Sequence, residues 1–169
     1  MSFSPSLLIS AALAGVLLAH GCTTVSSTVM VPEKIRAVTV SKGGSVRIQA
    51  TGSNRQALFG RRLVEPKALE AAVRESVLTS GLYDEVLEAG HADRVLAVTV
   101  ENIDEPEIGL DSTSEVSLRW RLLSDDETRT LWEEVITTKE TINSFDESDS
   151  AKRGIMSVEA ALRSNLRRG

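Results

Sequence analysis

The sequence predicts a two-layer α+β domain: a four- to five-stranded, mainly antiparallel sheet with two helices on one face. Three observations carry this reading. Segments of period two and period 3.6 alternate along the chain in the order strand, strand, helix, strand, hairpin, helix. The polar turn Asp125-Asp126-Glu127-Thr128 joins two long alternating segments, which must then pair antiparallel. Two helices suffice to cover only one face of such a sheet.

Residues 35–40 read as a first strand, followed by the turn Lys42-Gly43-Gly44. In residues 45–50, Val46, Ile48 and Ala50 share one face while Ser45, Arg47 and Gln49 share the other. Residues 51–62, with two glycines and three arginines, read as a loop. Pro66 is well placed to open a helix. Leu69, Ala72, Val73, Val77 and Ser80 then make one buried face, and Gly81 ends it. Residues 82–87 form a short extended piece and 94–102 a strand; the acidic segment 102–114, broken by Pro106, is a loop. In the hairpin, Val116, Leu118, Trp120 and Leu122 point to the helices, and the returning strand covers residues 130–142. Adjacent apolar pairs there, Leu131-Trp132 and Val135-Ile136, call for a bulge near Glu133-Glu134. A last helix starts near Asp149, capped by it or by Ser148, with Ala151, Ile155, Val158, Leu162 and Leu166 in one stripe.

With 169 residues the chain holds one domain, placed at 33–169. The net charge of −5 argues against a general nucleic-acid binder, and a single cysteine excludes a disulfide framework. No charge precedes Glu33, and residues 7–19 are small or apolar throughout. Thirteen helical residues rise about 20 Å, short of the roughly 30 Å hydrocarbon core, so the run fits a signal peptide over 1–21. It stops at Gly21-Cys22, where a polar tether begins that covers 22–32 and closes on Val31-Pro32.

Residues 1–28 resemble a bacterial lipoprotein signal, although MSFSPS lacks the usual early Lys or Arg and His20 stands where a small residue is usual. That resemblance implies lipidation of Cys22. Thr23 stands where the family's inner-membrane proteins carry aspartate, which implies the periplasmic face of the outer membrane. The phrase LEAAVRESVLTSGLYDEVLEAGHADRVLAVTV over residues 69–100, with the hairpin and closing helix, resembles small periplasmic accessory lipoproteins. These include auxiliary lipoproteins of envelope transport systems and, more distantly, peptidoglycan-synthase activators and curli-secretion subunits. The resemblance implies a small sheet backed by two helices and an accessory role without catalysis.

Residues able to do chemistry are sparse. His20 leaves with the signal, so His91 is the one histidine of the mature chain, and with Asp93 it makes either a ligand pair or a polar turn; the turn is favoured. No zinc set, nucleophile elbow or phosphate loop is present. Glu133 and Glu134 are strand neighbours and face opposite sides. Asp146, Glu147 and Asp149 suit a helix entry better than a cation loop. The sequence therefore points to no enzyme, no metal and no cofactor.

Charge is unevenly spread. Residues 33–81 carry net +5, 82–150 net −14 and 151–169 net +4. Arg55, Arg61 and Arg62 gather beside Phe59 in one loop, either to contact an anionic surface or to pair with Asp104, Glu105 and Glu107. Two functions remain open. The leading one is a lipid-anchored, non-catalytic accessory lipoprotein working through protein or lipid contacts, its partners being the membrane and an envelope protein. The other is a binding module for a lipid or glycan fragment, using the exposed face of the sheet.

Overall fold

The structure is a computed structural model and describes residues 24–39, 41–53, 63–104 and 110–169. The signal peptide, Cys22 and the loop residues Arg55, Phe59, Arg61 and Arg62 lie outside the described residues. In chain order the described elements are α1 (Ser27–Met30), β1 (Ser45–Thr51), α2 (Pro66–Ser80), β2 (Glu85–Leu87), β3 (Arg94–Asp104), β4 (Ser112–Ser124), β5 (Thr130–Ile142) and α3 (Ser150–Leu166).

The strands form one sheet in the order β2-β1-β3-β4-β5. The ladders β3–β4 and β4–β5 are long and antiparallel. β1 runs parallel to both its neighbours, because α2 carries the chain back along the sheet before β2 and β3 begin. The result is an α+β fold with a mixed sheet.

Helix ends follow from their residues. Pro66 opens α2, and Gly81 closes it in the left-handed conformation, φ 65°, donating to the Leu78 carbonyl. The Asp149 carboxylate accepts from the amides of Ala151 and Lys152 and so caps α3. The core lies between the helices and one sheet face. Val46 and Ile48 of β1, Val98 of β3, and Val116, Leu118 and Trp120 of β4 are buried there. Opposite them pack Leu69, Ala72, Val73 and Val77 of α2 and Val158, Ala161, Leu162 and Leu166 of α3. Each such aliphatic side chain contributes about 1.5–3 kcal/mol on full burial.

Four expectations need correction. Of the strand expected over residues 35–40, the described residues 35–39 form none: the outer edge of β1 is taken by β2, and Arg36 to Thr39 lie exposed. Two amides hold this segment to the end of α2, Val38 N–H to the Ser80 carbonyl at 3.0 Å and Lys42 N–H to the Leu82 carbonyl at 2.8 Å. Second, the supposed tether is folded from Val25 onward. Val25 and Met30 are 1% and 0% exposed, and the Val25 amide donates to the Leu63 carbonyl at 3.1 Å. The third correction concerns the bulge, which sits at Leu131 rather than at Glu133-Glu134, since Leu122 pairs with Trp132 and Leu123 with Thr130. A further bulge at Glu101 interrupts β3. Last, the stripe on α3 begins later than expected, with Ala151 exposed and Ile155 half-buried.

Candidate functional site

An apolar cavity of about 470 Å³ opens on the helix side of the sheet, between the C-terminal halves of α2 and α3. Its floor is Leu96, Trp120, Leu122 and Trp132, from three adjacent strands. Val73 and Val77 of α2 and Leu166 of α3 form walls, and Ile35 and Val38 of the strapped segment close one side. Such a volume falls within the roughly 300–1,000 Å³ of small-molecule sites. Register explains the floor. Trp120 and Leu122 alternate onto the helix face of β4, and the bulge at Leu131 brings Trp132 opposite Leu122 on that same face.

The Trp120 indole N–H donates to Asn165 Oδ1 of α3 at 3.1 Å, so its one polar atom is engaged. Ser76 and Ser80 turn their hydroxyls back onto the Ala72 and Val77 carbonyls of their own helix. Tyr83 lines the cavity too, and burial pushes its phenol above the usual range against the opposing effect of Arg94. The rim carries Arg36, Lys42, Arg167 and Arg168, all exposed, and among the described residues no Asp or Glu side chain lines the cavity. Among the described residues none of these four makes an ion pair, and Arg167 reaches only the Ser164 hydroxyl, at 3.4 Å. Sequence reasoning missed this site. Its residues are scattered from Ile35 to Gly169, and no local motif contains more than a few of them.

The other sheet face, expected to be open for a ligand, is occupied by its own charges. Glu127 lies in the β4–β5 turn at φ 58°, and its carboxylate accepts from Arg47 at 2.5 Å and from Gln49. Arg119 donates to Glu101 at 2.6 Å and to Glu133, which raises its own pKa and lowers that of Glu101. Val95, Ala97 and Leu123 are buried on this side. Glu101, the extra residue of the bulge in β3, follows Val95, Ala97 and Thr99 onto this face and there accepts from Arg119.

The remaining sequence candidates resolve into structural roles. Asp93 accepts from the Ser45 amide at 2.7 Å and the Ser45 hydroxyl at 2.9 Å, and these bonds hold its carboxyl below the usual range. It therefore ties the starts of β1 and β3 together, while His91 stays exposed. Gly44 is required beside it, because a Cβ there would lie 2.8 Å from the Asp93 carboxylate and its φ is 75°. Glu147 pairs with Lys152 at 2.5 Å at the entry to α3. Among the described residues no three potential metal ligands cluster, and no helix is long and apolar enough to cross a membrane.

No protein-family profile matches the chain, and no curated protein matches it. Solved structures do. A protein from Xanthomonas campestris of family DUF330 superposes with a TM-score of 0.60 at 16% identity, over 80% of this chain and 87% of that one. That likeness is one of fold. The PelC dodecamer subunit from Paraburkholderia phytofirmans is similar at TM-score 0.48 and 12% identity, over 78% of this chain and 89% of that one. A protein from Caulobacter crescentus is similar at TM-score 0.45 and 15% identity, over 73% and 82% of the two chains.

Proposed function

We propose that the chain is a lipid-anchored, non-catalytic lipoprotein of the bacterial envelope, attached through Cys22 at the periplasmic face of the outer membrane and acting through protein or lipid contacts. The observation that carries this is the seating of Val25. It is buried and hydrogen-bonded to Leu63 only three residues beyond the cysteine that ends the apolar run. Three residues span at most about 10 Å even when extended. A lipidated Cys22 would hold the domain against the headgroups, with several acyl chains contributing about 0.8 kcal/mol per buried CH₂. The Val25 amide donates to the Leu63 carbonyl, and Leu63 is the residue after Arg62. This favours a role for Arg55, Phe59, Arg61 and Arg62 at an anionic surface.

Replacing Cys22 with serine is expected to move the full chain from the membrane to the soluble fraction and to remove the mass of the acyl groups. Unchanged fractionation and mass would overturn the reading.

A second reading, a binding module for a small envelope ligand, is favoured by the apolar cavity. On this reading the helix side of the sheet, rather than its charged face, receives the ligand. A bound small molecule carried through purification and seen by native mass spectrometry is expected; co-purification of a protein alone would favour the accessory role.

A further inference from the structure

We infer that the cavity takes a single-chain amphiphile with an anionic head, its tail over Trp120 and Trp132 and its head at the basic rim. The inference rests on the second reading above and deepens it by naming the ligand class. Two independent features select this class. The interior offers a tail mostly carbon: Leu96, Leu122, Val77 and Leu166 surround the two indoles, the indole N–H of Trp120 is bonded to Asn165, and the Ser76 and Ser80 hydroxyls turn back onto their own helix, which leaves the Tyr83 phenol as the polar group of the lining below the rim. A glycan fragment, dense in hydroxyls, would lose its water there for few replacement hydrogen bonds. The rim supplies the opposite chemistry. Arg36 and Lys42 come from the strapped segment, and Arg167 and Arg168 from the end of α3.

Elsewhere in the domain Arg47 is paired with Glu127, Arg74 with Glu70 and Glu88, and Arg119 with Glu101 and Glu133, while Arg94, Arg153 and Arg163 donate to backbone carbonyls. Around the cavity the basic side chains have no such match among the described residues, and no acidic side chain lines it. Guanidinium groups suit carboxylate and phosphate heads through paired N–H donors. Ile35, Arg36, Val38 and Lys42 make one wall of the cavity, and Val38 and Lys42 are tied through their amides to the Ser80 and Leu82 carbonyls at the end of α2, so a ligand there would touch both parts of the rim.

The chain carries two tryptophans, and both line the cavity, so its own fluorescence reports occupancy. The full chain, held in nanodiscs of a neutral phospholipid, is titrated with 12-bromododecanoate at pH 8 and separately with the uncharged 12-bromododecanol. Bromine quenches an indole only at short range. The expected result is saturable quenching by the carboxylate, with at least a tenfold higher half-saturating concentration for the alcohol. Arg167→Ser/Arg168→Ser is expected to raise the carboxylate's half-saturating concentration about tenfold, equivalent to one charged hydrogen bond, and to leave the alcohol's unchanged. Equal saturable quenching by both probes would overturn the anionic-head assignment and leave the binding-module reading standing. Quenching that never saturates, or that matches simple partition into the disc, would overturn both.

Discussion

The Trp120 indole N–H and the Asn165 side-chain oxygen meet at 3.1 Å with both residues buried, joining the middle of the sheet to the last turn of α3. Asn165 also donates through Nδ2 to the Ile136 carbonyl of β5 at 2.6 Å. One side chain thus fixes where α3 sits across two strands.

Asn165→Ala is therefore expected to cost about 1–3 kcal/mol, because it leaves a buried indole donor unpaired. Chemical denaturation of the full chain measures this. Combining it with Trp120→Phe should cost less than the two changes separately, since both remove one interaction. Additive losses would show that the bond contributes nothing to stability.

Trp120→Ala removes one of the two indoles on the cavity floor as well as that bond. A loss of about 3–5 kcal/mol is expected, read as a lowered thermal midpoint. An unchanged melting curve would mean that this face of β4 is not packed by the helices.

The carboxyl of Asp126 accepts from Ser124, from Thr128 Oγ1 at 2.7 Å and from the Thr128 amide at 3.1 Å, which lowers its pKa to about 2. A depressed carboxyl stabilises the fold fully above its unfolded value, about 3.9. That contribution is lost as pH falls through about 2. A carboxyl carbon titration by NMR should show Asp126 with a midpoint near 2, well below exposed aspartates. Asp126→Asn should remove this part of the acid dependence; a midpoint near 4 would refute the hairpin network.

For the arginine loop, replacing Arg55, Arg61 and Arg62 together with serine should abolish salt-sensitive binding of the full chain to anionic vesicles. Each basic residue near such a surface is worth about 1 kcal/mol, and salt weakens the attraction. Equal binding by parent and triple variant would leave the loop as ordinary surface.

Much of the fold was legible because its signals are local. Pro66, Gly81 and Asp149 mark helix ends within one or two residues, and the alternation from Val116 to Leu122 gives the buried face of β4 directly. What was hidden depends on distant partners. The parallel placement of β1 beside β3 follows from the path of α2, not from any feature of β1 itself. Val25 and Met30 looked like stray apolar residues in a polar run, and their burial needs the gap between α2 and α3 that the whole fold creates. Asn165 and Arg153 resemble surface positions in sequence, yet both are buried, Asn165 through its bonds to the sheet and Arg153 through its bonds to the Glu147 and Ser148 carbonyls. The cavity is harder still to foresee, because its floor needs the register of three strands.

The burial of Val25 and Met30 also bears on mechanical load. An anchor at Cys22 would not pull on a slack leader but on the first core residue, and through it on α1, which is wedged between α2 and α3. The Arg163 guanidinium, donating to the Val29 carbonyl at 2.8 Å, and the Val25–Leu63 bond are the fastenings in that line of force. Tugging the protein out of its bilayer would strain these two bonds first, and their release would uncover the apolar groove that α1 fills. The anchor and the fold would then share one weakest link, so a force that frees the lipid would also begin to open the domain.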